Sequence, residues 1–442
     1  MTEPNSNRPW RPLLTGEAAR AANAAVDAIA AGIAAHPAAA AIRPEAGGGH
    51  FSLAGGQAGL ALFFSYLHFA RPDGGHDETA MGFLEQAIEG TGEMAVSAGL
   101  YSGFAGVAWT LEHLLGRLFD PDGEDPGEEI ATALQGLLAR SPWQGDYDLI
   151  SGLVGFGAYA LERLPRPGGR ECLEQIVARL SETAEPGAAG ITWHTPPERV
   201  GPVQAEQFPA GYYNLGVAHG VPGVIALLGE AEVAGLAAEV AAEARRLRQG
   251  AAAWIATQQL PPGAPSLFPY NTAPGIPPSP SRLAWCYGDL GIAAALLAAA
   301  RTVADPGLEA TARTVAGHAA ARPAEGAGVV DAGLCHGAAG VAHLFNRLYQ
   351  ASGEAAVGEA ARSWFERALA LRGPEGIGGF RAWLPQGNDG MSGELGWADD
   401  PGFLTGSAGI GLALLAATTP VEPNWDRVLL TAIRGASGRR EP

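Results

Sequence analysis

Cys335 and His336 stand side by side in "GLCHGAAGVAHLF" (333–345), where a thiol and an imidazole lead into glycines and an apolar run. Such a pair admits three chemistries: two metal ligands, a nucleophile with its base, or two ordinary core residues. A lone Cys-His pair is more often core. The rest of the chain has to supply partners before it means anything else.

Partners appear once the glycines are aligned. A Gly-x-x-Gly followed by an apolar run recurs seven times, with first glycines Gly56, Gly103, Gly152, Gly220, Gly288, Gly337 and Gly406, spaced by 47, 49, 68, 68, 49 and 69 residues. Seven copies, each opening an apolar stretch, signal a repeat architecture. Between them lie amphipathic segments such as 127–140, 232–258 and 356–371, with apolar residues at helical spacing. The segments after the glycines are apolar all round, as helices buried on every side must be. The end units are as apolar as the middle ones, so no polar caps close an open solenoid. The expected fold is all-α: an α/α toroid, or barrel, of seven inner and seven outer helices, forming one domain over 1–442. A small mixed insertion is expected at 164–213, after the third repeat, and it should hold the strand content. Residues 1–15 are expected to be a flexible N-terminus, and 260–282 a second long loop.

In a closed ring, residues at one offset from the repeated glycine converge. One position before it stand Gly55, Ser102, Ser151, His219, Tyr287, His336 and Thr405. Two before it stand Ala54, Tyr101, Ile150, Ala218, Cys286, Cys335 and Leu404. Two of the three cysteines and two of the ten histidines therefore meet at the mouth. Cys286, Cys335 and His336 form a Cys₂His set with a free fourth position, the pattern of catalytic rather than structural zinc. Their 49-residue separation excludes a zinc finger, whose ligands come in short pairs.

The motifs "WCYG" (285–288), "CHGAAG" (335–340) and "AHGVPG" (218–223), with the seven-fold glycine pattern, resemble the lanthipeptide synthetase C-type cyclases, the LanC family, from about residue 50 to the C-terminus. The resemblance implies one Zn²⁺ per chain on Cys286, Cys335 and His336, and formation of thioether (lanthionine) rings in a dehydrated precursor peptide. "CYGDLG" departs from the family, which usually carries Pro before the second glycine; this alters a turn and no ligand.

In such a reaction a cysteine thiol adds to the β-carbon of dehydroalanine or dehydrobutyrine. His219 is the first candidate for the acid that protonates the α-carbon. Arg282 is a candidate for stabilising the enolate oxygen, and Tyr287 for donating a hydrogen bond. Asp148, which the resemblance adds, is a candidate for orienting His219 or taking the thiol proton. His343 reads as structural.

Composition narrows the remaining options. The 442 residues are 47% apolar and 17% charged, with 63 glycines, no lysine and a net charge of −18. No basic cluster tracks phosphates, so nucleic acid is not an expected partner. No signal peptide or transmembrane segment is expected, and three cysteines make no disulfide framework, which suits the cytoplasm. A lanthipeptide dehydratase is a candidate partner. Rival functions are addition of glutathione or another small thiol to dehydroamino acids, and a zinc-containing peptide-binding scaffold without catalysis. A toroidal glycosidase would need paired carboxylates, and the converging positions hold none.

Overall fold

The computed structural model describes residues 9–36, 50–93, 97–120, 123, 125–387 and 393–433. The chain is an α/α toroid. Its inner helices are α2 (Gln57–Ala70), α4 (Phe104–Leu114), α6 (Leu153–Arg163), α9 (Val221–Val233), α11 (Asp289–Val303), α13 (Ala338–Ser352) and α15 (Ser407–Thr418). Each packs on the next, and α15 packs on α2, so the ring closes. A first glycine caps each inner helix at its N-terminus. In α15 every residue from Ser407 to Ala417 is buried, which is why the sequence there carries no polar stripe.

The second glycine of each motif has a steric cause. A Cβ at Gly59, Gly106, Gly155, Gly223, Gly291, Gly340 or Gly409 would lie 1.7–2.4 Å from the carbonyl oxygen six residues earlier. The loop at the ring mouth folds back against its own helix, and no side chain fits between them. Gly288 is a different case: at φ +94° it takes a backbone conformation that L side chains rarely adopt.

The outer layer is α1 (Gly16–Ala35), α3 (His76–Glu93), α5 (Glu128–Leu138), α7 (Gly169–Thr183), α10 (Ala238–Ala256), α12 (Pro306–Ala321) and α14 (Ala355–Ala370). These helices bury one face, as with Ala131, Leu134 and Leu138 of α5. The outer helix of the last unit comes from the start of the chain: α1 packs on α15.

Three expectations need correction. The flexible N-terminus over 1–15 fails for residues 9–15. Trp10, Leu13 and Leu14 are buried, the Trp10 indole donates to the Ala416 carbonyl at 2.7 Å, and the Leu13 and Leu14 amides donate to Ala417. Residues 1–8 lie outside the described residues. Within 164–213, α7 packs on α6 as the third unit's outer helix, so the irregular part begins after Thr183. It contains the hairpin β1 (Glu185–Gly187) and β2 (Gly190–Thr192), the short helix α8 (Pro202–Gln207), and β3 (Tyr213–Asn214) just beyond. Nor are strands confined there. β3 pairs with β4 (Asn271–Thr272) of the second long loop, and β5 (Ala382–Pro385) pairs with β6 (Leu395–Ala398) ahead of α15. Trp383 opposite Trp397 fixes that last register, a cross-strand aromatic pair.

Candidate metal centre and proton-transfer site

The offset two residues before each glycine has a structural meaning. Backbone amides at this position donate around the ring: Ala54 to Tyr101, Tyr101 to Ile150, Ala218 to Cys286, Cys286 to Cys335, Cys335 to Leu404, and Leu404 back to Ala54, with Leu149 supplying the link to Ala218. Each bond measures 2.8–3.4 Å. Cys286 and Cys335 are therefore neighbours in a closed circuit of main-chain bonds, although 49 residues separate them.

That circuit brings the sulfurs of Cys286 and Cys335 and a ring nitrogen of His336 within 4.8 Å of one another, the group of metal-ligating character among the described residues. A tetrahedral zinc with Zn–S about 2.3 Å and Zn–N about 2.0 Å sets its ligand atoms roughly 3.5–3.8 Å apart. Atoms within 4.8 Å are close enough to contract onto such an ion, and two soft sulfurs and an imidazole suit its chemistry. Both cysteines are buried, 9% and 8% exposed. A hydrogen bond from Cys335 draws the Cys286 thiol well below its ordinary range, against the opposing pull of burial. The same bond, with burial, pushes Cys335 up. Burial pulls the His336 imidazole down, but its bond to Cys286 and the charges of Cys286 and Asp331 together outweigh that and raise it.

The loop carrying Cys335 and His336 is pinned by Asp331. One carboxylate oxygen accepts from the Gly333 amide at 3.1 Å and the other from the Trp383 amide at 3.0 Å. Asn214 and Asp400 repeat the first bond in their own loops, to Gly216 and Gly402. Short polar side chains accepting from the amide two residues on are a turn device. Here it recurs at one offset of the repeat.

Of the expected proton-handling residues, His219 and Asp148 meet directly, Nδ1 to Oδ2 at 2.5 Å. The other Asp148 oxygen accepts from the Ser151 amide at 2.8 Å. Burial lowers the His219 pKa, but the Asp148 bond and charge outweigh it and hold it above 6.5, with the nearby Cys286 adding to the rise. Its side chain remains 43% exposed at the mouth, so the imidazole is reachable.

Tyr287 faces His219, with ring centroids 6.4 Å apart. Its hydroxyl oxygen accepts from Asn214 at 3.1 Å. Arg282 donates from its backbone and its Nε to the Tyr270 hydroxyl, at 3.1 and 3.3 Å, and both cysteines act on it electrostatically. His343 lies elsewhere, fully buried and bonded to Asp426 at 2.8 Å.

Asn214 and Tyr270 escaped the sequence reading. Asn214 was within reach of it, since the position six before the first glycine is polar in every unit. Asp148 also had a signal. At its offset four units carry glycine (Gly99, Gly216, Gly333 and Gly402) and the remaining two carry Ser52 and Ala284. An acid standing where relatives in the repeat need almost no side chain marks a position with its own task. Tyr270 lies in the irregular loop 260–282, where no repeat offset applies.

Residues 49–430 match the family described as lanthionine synthetase C-like protein. Among solved structures, a nisin cyclase superposes with a TM-score of 0.67 at 20% identity, covering 87% of this chain and 92% of that one. At such identity the likeness speaks for the fold. Among curated proteins, no sequence matches.

Proposed function

Because the chain belongs to the lanthionine synthetase C-like family, we propose that it is a zinc-dependent cyclase acting on a dehydrated precursor peptide. It joins a peptide cysteine to a dehydroalanine or dehydrobutyrine of the same chain, giving a (methyl)lanthionine thioether. The observation that carries this reading is the convergence of Cys286, Cys335 and His336 within 4.8 Å on the same rim as the His219–Asp148 pair.

Cys286, Cys335 and His336 would hold the zinc, which when bound would supply Lewis acidity that lowers the pKa of a substrate thiol from its ordinary ~8.5. The remaining work falls to side chains of this protein. In the addition a C–S bond forms at the β-carbon, the alkene π pair moves toward the α-carbon and its carbonyl, and one proton must arrive there. The thiol has given up one proton, so the product is an isomer of the substrate. His219 delivers the proton to the α-carbon. Asp148 fixes its tautomer and favours the imidazolium that donates. Arg282, held by Tyr270, offers positive charge to the enolate oxygen. Tyr287 accepts from Asn214 and keeps its own O–H hydrogen to give. None of the three cysteines is in a disulfide, which suits the reducing cytoplasm.

The test is incubation with a dehydrated cysteine-containing peptide, followed by a thiol-alkylating reagent, with glutathione in a parallel arm. A cyclase removes alkylatable thiols from the peptide without changing its mass. A gain of glutathione mass on that peptide in the glutathione arm, with its own thiols left alkylatable, would instead assign the small-thiol transferase activity.

A further inference from the structure

The floor beneath the metal centre is made by the other end of the chain. Residues Asn424–Leu429 form a short 3-10 turn, of which Trp425, Asp426, Val428 and Leu429 are buried. Asp426 accepts from His343 at 2.8 Å and from the Arg347 Nε at 2.6 Å, and Arg427 reaches Glu162 at 3.5 Å. His343 and Glu162 stand six and ten residues past their capping glycines, about 9 and 15 Å along their inner helices. The turn therefore plugs the hollow of the toroid from the side away from the mouth.

The tip of this plug touches the residues around the cysteines. The Trp285 indole donates to the Leu429 carbonyl at 2.9 Å, and the Tyr101 hydroxyl donates to the preceding carbonyl, Val428, at 3.0 Å. Trp285 and Tyr101 come from units 5 and 2, yet their rings meet across the hollow at 5.7 Å, both almost fully buried. Trp285 is joined by its peptide bond to Cys286, and its backbone amide donates to the Cys335 carbonyl at 3.0 Å. One residue thus connects both cysteines to the plug. Leu430, just after the turn, sits at φ +55°, a left-handed conformation that a leucine keeps only when its surroundings dictate it.

We propose that Trp285 and Tyr101 are positioning residues that bolt the metal centre to the C-terminal plug, so that the plug sets how firmly Cys286 and Cys335 hold their ion. This rests on the zinc reading above and goes beyond it, because neither residue is a ligand and the plug lies on the far side from substrate.

The experiment compares full-length wild type with Trp285→Phe, Tyr101→Phe and Trp193→Phe, reading zinc release to a chromogenic chelator beside the thermal midpoint. Trp193 is the control: it too is fully buried and its indole donates to a backbone carbonyl, that of Leu180, at 3.0 Å. Trp285→Phe should release zinc about tenfold faster or more, the scale on which groups behind metal ligands act. Tyr101→Phe should shift release in the same direction, and it carries the test if Trp285→Phe does not fold. Trp193→Phe should lower the midpoint comparably and leave release unchanged. Release that matches wild type in both Trp285→Phe and Tyr101→Phe overturns the inference, as does release that simply tracks the midpoint in all three variants. Wild type that binds no zinc overturns the underlying metal reading, and this one with it; wild type that binds zinc keeps the two failures distinct.

Discussion

His219 and Asp148 come from loops 71 residues apart and meet at 2.5 Å, with the second oxygen of Asp148 occupied by a backbone amide. The carboxylate is thereby fixed in place and the imidazole is held above its ordinary pKa by it. If His219 donates the proton, its removal separates chemistry from metal binding. His219→Ala should retain zinc and lose cyclisation by ~10²–10⁴-fold, the usual contribution of a general acid. Metal analysis and thiol alkylation on the same sample check both halves. Wild-type cyclisation in this variant would move the acid role to Tyr287.

The pairing also fixes the sign of a pH effect. An imidazolium donor is present below its pKa, so the acid-dependent rate is full at low pH and falls as pH rises through the elevated His219 value. Asp148→Asn removes the charge that sustains the elevation and leaves burial pulling downward. The fall should therefore move to lower pH, toward or below 6.5. A pH–rate profile that keeps its alkaline limb in Asp148→Asn would contradict the assignment.

Ligand removal should be graded. Cys286→Ala or Cys335→Ala deletes a thiolate and should strip most of the zinc. His336→Ala deletes a neutral donor and should strip it less completely. Elemental analysis of the purified variants reads this directly, and unchanged zinc in both cysteine variants would remove the ligand set from consideration.

The glycines make opposite predictions within one protein. Gly340→Ala puts a Cβ 1.7 Å from the Leu334 carbonyl oxygen, and the loop that must retreat carries Cys335. It should destabilise by at least about 3 kcal/mol, at the upper end of overpacking costs. Gly136→Ala, on the exposed face of α5 with nothing within 4 Å of the added carbon, should stabilise by about 1 kcal/mol through helix propensity. Chemical denaturation of the two variants measures both.

Those same glycines explain what was legible in the sequence. A close backbone approach repeated seven times leaves a residue pattern behind, and the pattern gave the ring, its inner helices and the meeting of Cys286, Cys335 and His336. Features that occur once leave no such trace. The docking of Trp10 on α15, and of α1 beside it, links residues about 400 positions apart, and no local period encodes that. The β5–β6 hairpin lies in a stretch of Gly, Trp and Pro outside the repeat. Trp285 reads as part of a motif, but its indole bond to Leu429 spans 144 residues. Sequence periodicity reports what neighbours share, and the plug is shared by none.

The most direct test of the central claim is a short incubation of a dehydrated, cysteine-containing peptide with wild type and with Cys335→Ala, followed by alkylation and intact mass. Wild type, carrying about one zinc per chain, should leave few adducts, while Cys335→Ala should leave nearly one adduct per cysteine. Equal adduct counts in the two proteins would contradict it.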